Sequence, residues 1–279
     1  MQIDAHQHFW RVSRGDYGWL TPDAHPAICR DFGPDDLRPL LAAAEVERTV
    51  LVQAAPTAAE TDFLLTIATA TTFVAGVVGW ADFEARDAPA RIEALASDPK
   101  LLGLRPMLQD LPDVAWIGRP SIGAALDTME RLGLTFDALV TPRHLSHIAR
   151  LIESRPGLRL VIDHGAKPDI AAGELGGWAE QMLAIGRGSE AFCKLSGLVT
   201  QAQADWRAED LKPYVDVLLD AFGPARLMWG SDWPVVNEAG GYAAWRAAAE
   251  ALTAHLSAGE RALIFGGTAA AFYGIVAWD

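Results

Sequence analysis

The chain has 279 residues, 51% of them hydrophobic, and a formal net charge of −13. That length exceeds a small module and suits one α/β barrel, which buries roughly 75% of its extended surface without needing a disulfide or structural metal. The acidic balance argues against a nucleic-acid partner or an anionic membrane surface and identifies no partner by itself.

The first apolar run, residues 3–5, leads into His6-Gln7-His8. Alternate side chains of a strand share a face, so both imidazoles would point the same way from the strand end. There they would hold one divalent metal or polarise one substrate; two partly exposed histidines after a short strand are the plainer alternative. Residues 9–33, with Trp10, Tyr17, Trp19, Pro22, Pro26 and Phe32, have no period and read as a long loop. Asp35-Asp36-Leu37 opens a helix with acids in its first turn, and Leu37, Leu40, Leu41 and Ala44 follow at helical spacing. Further apolar runs lie at 49–53, 73–81, 102–107, 135–140, 159–163, 192–195 and 227–229. Their near-continuous Val, Leu, Ile and Phe content is that of parallel strands buried on both faces. Thr141-Pro142 opens another helix that carries His144, Leu145, Ile148, Leu151 and Ile152, and Gly133, Gly157 and Gly223 close three helices. The alternation predicts a single-domain (β/α)8 TIM-like barrel over residues 1–279, with the 9–33 loop over its C-terminal mouth. A doubly wound open sheet is the alternative.

In a barrel the strand C-termini carry the chemistry. Here they bear His6 and His8, Gln53, Trp80 and Asp82, Arg105 with Met107 and Gln109, Asp163-His164 with Lys167, Lys194 and Ser196, and Ser231-Asp232-Trp233. Asp232 emerges as a buried run surfaces and is the candidate general base, or else a turn residue. His164 would ligate a metal or donate to a carbonyl oxygen, or sit as a structural histidine. Arg105 would bind substrate through its forked donors, or pair with a strand-end Asp. Lys167 reads as a substrate contact or a solvated lysine. Trp10, Trp80 and Trp233 would wall a pocket, and Gln53 and Met107 would face it. His25, His144, His147 and His255 read as surface or packing residues, the last three on helices. There is no P-loop, GxGxxG or GxSxG pattern, which argues against nucleotide cofactors and a serine-hydrolase mechanism. Cys29 and Cys193 read as reduced thiols. No charged segment with an apolar core precedes the first run, and no run reaches about 18 apolar residues, so the expectation is a cytoplasmic protein.

Asp4-Ala5-His6-Gln7-His8-Phe9-Trp10, Gly103-Leu104-Arg105-Pro106, Val161-Ile162-Asp163-His164-Gly165-Ala166-Lys167-Pro168 and Met228-Trp229-Gly230-Ser231-Asp232-Trp233-Pro234 resemble the amidohydrolase superfamily. The branch they resemble is that of the sugar- and dicarboxylate-lactone hydrolases, often labelled amidohydrolase 2. The likeness spans essentially the whole chain; HxH alone is weak, whereas HxH, a late strand-end His and a strand-eight Asp in this order are fairly specific. The resemblance implies a distorted (β/α)8 barrel and hydrolysis by water attacking a carbonyl. His6 and His8 match the first metal or substrate ligands, His164 the sixth-strand histidine, and Asp232 the general base. Two-metal members carry Lys or Glu at the end of strand four and His at the end of strand five. Arg105-Pro106-Met107 and Leu139-Val140-Thr141 stand there instead, which argues against a binuclear centre.

One divalent metal such as Zn²⁺ on His6, His8 and Asp232, with or without His164, is one expectation; such a metal would lower the pKa of its water toward ~7. Metal-independent catalysis by the same side chains and arginines is the other. The expected substrate is a small-molecule sugar-acid lactone such as L-fucono- or L-rhamnono-lactone, with no nucleic-acid or membrane partner. Asp232 would take the proton of the water, His6, His8 and His164 would orient it, and Arg105 would stabilise the oxyanion. A metal-dependent decarboxylase of an aromatic or muconate-like acid is the alternative within the superfamily, weakened by the missing strand-five His. A non-catalytic sugar-acid-binding barrel is the alternative of another class, weakened by the strand-end Asp. Oligomeric state leaves no signal in the chain.

Overall fold

The computed structural model describes residues 1–276, so the last three residues of the expected domain span lie outside the described residues. The strands are β1 (Ile3–Gln7), β2 (Arg48–Val52), β3 (Val74–Gly79), β4 (Leu101–Leu104), β5 (Thr135–Ala138), β6 (Leu160–Ile162), β7 (Phe192–Leu195) and β8 (Leu227–Trp229). All seven successive pairs are parallel and follow chain order, the arrangement of a (β/α)8 barrel rather than a doubly wound open sheet. Each expected run carries a strand. β4 stops at Leu104, short of the expected 107, because Pro106 offers no N–H to the ladder and bends the residue before it away.

The crossover helices are α1 (Pro34–Ala43), α2 (Ala58–Ala70), α3 (Ala88–Ala96), α4 (Gly123–Leu132), α5 (Leu145–Ser154), α6 (Gly176–Gly188), α7 (Ala208–Phe222) and α8 (Gly241–Leu252), with α9 (Ala258–Ala262) and α10 (Thr268–Tyr273) appended. Pro142 starts a 3-10 turn, Pro142–His144, that feeds α5. Gly133 and Gly223 end α4 and α7 with φ of 69° and 64°. Gly157 does not close α5: Arg155 takes the cap position, its guanidinium held by Asp127 and Glu130, and Gly157 lies in the following turn. His255 likewise falls in a turn beyond α8 rather than on a helix.

Two apolar layers flank the strands. Most of the core lies between strands and surrounding helices. A second cluster lines the barrel interior, where Ile3, Ala5, Val50, Val52, Val78, Val161 and Met228 pack against Ala269, Phe272 and Tyr273 of α10. The Phe272 ring meets Phe192, the first residue of β7, at 4.7 Å, so α10 lies at the N-terminal end of the barrel. The opposite end carries the long loop. Its base is tied by an antiparallel bridge, Trp10 N–H to Phe32 O at 3.1 Å and Phe32 N–H to Trp10 O at 3.0 Å, and Tyr17, Leu20 and Ile28 are buried within it. Among the described residues no helix is long and apolar enough to cross a membrane.

The barrel closes between β8 and β1 through a few backbone contacts. Asp232 N–H donates to His6 O at 2.8 Å, His8 N–H donates to Trp233 O at 2.7 Å, and Gln7 and Trp233 form a parallel bridge. Ser231 N–H adds a bond to the Asp4 carboxylate at 2.8 Å.

β4 and β5 approach so closely that a Cβ on Gly103 would lie 2.0 Å from Thr135 Oγ1 and 2.4 Å from Thr135 O. Because the second obstacle is backbone, a rotamer change cannot clear it. We therefore expect Gly103→Ala to cost about 3 kcal/mol in urea unfolding, while Gly118→Ala, with nothing within 4 Å of its added carbon, stays within about 0.5 kcal/mol of wild type.

Candidate active site

The closing seam of the barrel brings the sequence-predicted residues together. His6 and His8 flank Gln7 on β1 and share a face: their Nε2 atoms are 3.2 Å apart. Asp232, just past β8, places Oδ1 3.3 Å from His8 Nε2 and 3.8 Å from His6 Nε2. His164, just past β6, places Nε2 3.9 Å from the same oxygen. Both Asp232 and His164 hold left-handed backbone, with φ of 57° and 55°, at a cost of order 1–3 kcal/mol each for residues with a Cβ. Two glycines leave room for them. A Cβ on Gly230 would lie 2.7 Å from His6 Cβ, and one on Gly197 would lie 2.6 Å from His164 Nδ1. Ser196 Oγ, on the same turn as Gly197, bonds His164 Nδ1 at 2.9 Å.

All four groups are buried. Burial lowers the pKa of each histidine, His164 to about 4 and His6 well below the usual imidazole value, with Lys194 pushing His6 the same way. Burial alone would raise the Asp232 carboxyl, but His164, the His8 hydrogen bond and His6 outweigh it and hold it well below the usual range. The site at neutral pH is therefore one carboxylate among three neutral imidazoles.

Beneath them lies an ionic layer in which the sequence reading gave a role only to Arg105, as a substrate contact or as the partner of a strand-end Asp. Arg105 donates from Nη1 to Asp163 Oδ2 at 3.1 Å and from Nη2 to the Gln53 carbonyl and to Gln53 Oε1. Lys194 Nζ lies 2.6 Å from Asp137 Oδ2, 3.0 Å from Asp163 Oδ1 and 3.1 Å from His6 Nδ1. Tyr273 of α10 donates to Asp137 Oδ2 at 2.7 Å. The signal for this layer was a lysine in the middle of a strand that otherwise reads Phe-Cys-Leu, which only a buried counter-ion permits.

The remaining candidates divide. Gln53 is fully buried and both ends of its amide bond Arg105, the Nε2 to the Arg105 carbonyl at 3.0 Å. Trp10 and Trp233 are buried in the base of the long loop, where each packs on Phe32. Lys167 donates to Gln109 Oε1 at 2.7 Å and carries φ of 50°. Trp80 and Met107 are half-buried and line a cavity of about 550 Å³ above the ends of β2, β3 and β4, together with Trp19, Asp82, Asp110 and Trp116. His144 caps its own turn, His25 pairs with Glu238 and His147 with Arg150. Cys29 and Cys193 are free thiols.

His6, His8 and Asp232 fit one divalent metal. Bonds of about 2.0–2.1 Å to zinc put tetrahedral ligand atoms about 3.4 Å apart, close to the observed 3.2, 3.3 and 3.8 Å. His8 Nδ1–H is committed to the Val52 carbonyl at 2.7 Å, so neutral His8 faces Asp232 Oδ1 with a bare nitrogen. Two acceptors at 3.3 Å call for a cation or a proton near them. His164 adjoins this set, and His6, Asp163 and His164 form a second cluster of ligand atoms.

Residues 3–275 match the amidohydrolase family model. The chain belongs to the amidohydrolase family. An L-fucono-1,5-lactonase of Burkholderia ambifaria is 49% identical over 98% of this chain and 96% of its own length. An L-fucono-1,5-lactonase of Burkholderia multivorans is 37% identical over 99% of this chain and 96% of its own length. A crystal structure of a Burkholderia multivorans amidohydrolase with bound zinc superposes with a TM-score of 0.93 at 36% identity, covering 99% of this chain and all of that one. As in that amidohydrolase fold, eight parallel strands carry helices between them.

His164 is held in place by the missing side chain at Gly197. We expect Gly197→Ala to displace its ring and to lower kcat/KM about 100-fold, the scale of a ~1 Å misplacement, while circular dichroism shows the barrel retained.

Proposed function

We propose that this amidohydrolase opens a sugar-acid lactone to the free acid, with L-fucono-1,5-lactone the first substrate to try. The observation that carries the reading is the Asp232 carboxylate, held anionic among three neutral imidazoles at 3.3, 3.8 and 3.9 Å, in a chain 49% identical to an L-fucono-1,5-lactonase. An anionic carboxylate is a base, and neutral imidazoles both accept and donate. Asp232 Oδ1 takes a proton from water as the water oxygen adds to the lactone carbonyl carbon. The same oxygen returns that proton to the ring oxygen as the C–O bond breaks, which yields a hydroxy acid that ionises at neutral pH. His164 and the His6–His8 pair orient the water. A divalent metal on His6, His8 and Asp232 would act, when bound, as a Lewis acid and lower the pKa of its water.

Oxyanion charge falls to Arg105 and Lys167. Arg105 has both Nη atoms engaged and, among the described residues, no partner for its buried Nε–H, so it acts on substrate by its charge. Lys167 is the second cation, its charge felt by Asp232. Trp80 and Met107, with Trp19 and Trp116, offer apolar faces to a sugar, and Asp82 and Asp110 offer acceptors for its hydroxyls. Two separate thiols fit a cytoplasmic location.

A pH-indicator assay over an aldonolactone panel, run with and without chelator, tests the reading. Acid release from L-fucono-1,5-lactone is the expected result, and no release from any lactone sinks it. Asp232→Asn should lower kcat/KM by roughly 10²–10⁴-fold. Burial pushes His164 down to about 4 and lowers His6 and His8 as well, so protonation of His164 sets in well below neutral. The rate should hold as pH falls from 7 through 5 and drop as it approaches 4. A loss centred near 6.5, the ordinary imidazole value, would show that these histidines are not shielded as the geometry requires.

A further inference from the structure

We propose that Lys194 is a positioning residue that sets the tautomer of His6 and thereby weakens the hold of the His6–His8–Asp232 trio on a divalent metal. Two carboxylates at 2.6 and 3.0 Å keep Lys194 an ammonium, and an ammonium nitrogen has three hydrogens and no lone pair. At 3.1 Å from His6 Nδ1 it can only donate, so that ring nitrogen is bare and the proton of neutral His6 sits on Nε2. Nε2–H then faces His8 Nε2 at 3.2 Å, which is itself bare because His8 Nδ1–H donates to the Val52 carbonyl at 2.7 Å. Lys194, His6, His8 and Val52 thus form one donor-to-acceptor chain with each ring nitrogen satisfied.

The opposite tautomer conflicts with the same distances. It would set His6 Nδ1–H against the ammonium at 3.1 Å and leave two bare nitrogens 3.2 Å apart. Arg105 Nη1 has two hydrogens, one for Asp163 Oδ2 at 3.1 Å and one facing His6 Nε2 at 3.3 Å, but that contact leaves the clash of a His6 Nδ1–H with the ammonium in place. A metal on the trio needs Nε2 of both histidines bare. Binding therefore moves the His6 proton to Nδ1, where Asp163 Oδ1 stands 3.6 Å away and Lys194 is in the way. Lys194 cannot swing aside freely: Asp137 holds it at 2.6 Å, and Tyr273 holds Asp137 at 2.7 Å.

The test is a long-range ¹H–¹⁵N correlation spectrum of the metal-free protein labelled at histidine, with His6 identified as the signal lost in His6→Asn. A proton on Nε2 and a bare Nδ1 is the expected pattern; a proton on Nδ1, or on both nitrogens, overturns the proposal. A second arm measures Zn²⁺ affinity by competition with a chelator in the double variant Asp137→Asn with Lys194→Met. That pair removes one charge of each sign and leaves the Arg105–Asp163 pair intact. Zinc should bind at least about tenfold tighter to the double variant, which corresponds to ~1.4 kcal/mol, and its His6 proton should move to Nδ1. Equal or weaker zinc binding by the folded double variant overturns the proposal, and if that variant does not fold the wild-type spectrum decides. Neither measurement uses a lactone, so failure here is distinct from failure of the proposed activity.

Discussion

The last hydrogen bonds of the barrel are made by the backbone of its candidate-site residues. Asp232 N–H reaches His6 O at 2.8 Å, and His8 N–H reaches Trp233 O at 2.7 Å. The separation between Asp232 and the two imidazoles is therefore a property of the closing ladder rather than of side-chain rotamers. Each end of the seam needs a special local shape. Asp232 turns left-handed one residue after Ser231 bonds Asp4, and Gly230 lets β8 lie against His6 with no Cβ between them. The strain at Asp232 and at His164 is of order 1–3 kcal/mol each, and it persists because the flanking backbone bonds over-determine both positions. Closing the barrel and building the site are one event in this chain.

The interior is stratified by polarity. An apolar layer of Ile3, Ala5, Val50, Val52, Val78, Val161 and Met228, covered by α10, holds water away from the N-terminal end. Above it Asp137 and Asp163 face Lys194 and Arg105, two charges of each sign with no exposure worth the name. Any one of these ions alone would cost several kcal/mol to bury, so the layer stands only as a set. The pairing shows in the pKa directions. Burial raises both carboxyls; at Asp163, Lys194 and His6 overcome it and hold the carboxyl far below the usual range, whereas at Asp137 burial, joined by the nearby Asp163, outweighs the same lysine. The layer of His6, His8, His164 and Asp232 rests on this one and inherits its order. His6 touches both Lys194 and Arg105, so the first histidine of the pair is positioned from below before any substrate arrives.

Periodicity carried the barrel, because buried parallel strands are written as continuous apolar runs and every run became a strand. The site was legible where a motif sits on a strand end: His6, His8, His164 and Asp232 converge as the spacing and the family likeness implied. What showed least was anything decided by contacts between distant strands. Arg105 reads both as a substrate-binding guanidinium and as the partner of a strand-end Asp; its Nη1 goes to Asp163, as the second reading has it, and its Nη2 to Gln53, which neither reading contains. Gln53 reads as a polar group at a mouth, yet it is fully buried against that arginine. Trp10 and Trp233 read as pocket walls because they flank reactive residues. The long loop folds back through Phe32 and buries them, a long-range packing event with no local pattern. Gly157 failed for a smaller reason, since a charged Arg155 pair can end a helix without glycine.

The space between His6 Nε2, His8 Nε2 and Asp232 Oδ1 is built for one positive charge. Its edges of 3.2, 3.3 and 3.8 Å suit a tetrahedral ion, and its hydrogen bonds deliver a proton from His6 to nearly the same place. Which of the two fills it bears on how demanding a reaction the site must catalyse. An amide nitrogen is a poor leaving group, and its hydrolysis draws on strong carbonyl polarisation. A lactone is an ester, and its ring oxygen leaves as an alcohol once a single proton is returned to it. A buried carboxylate held anionic beside imidazoles that stay neutral is a set of groups suited to an ester. Lys194, 3.1 Å from His6 Nδ1, stands where it bears on which of the two fills that space.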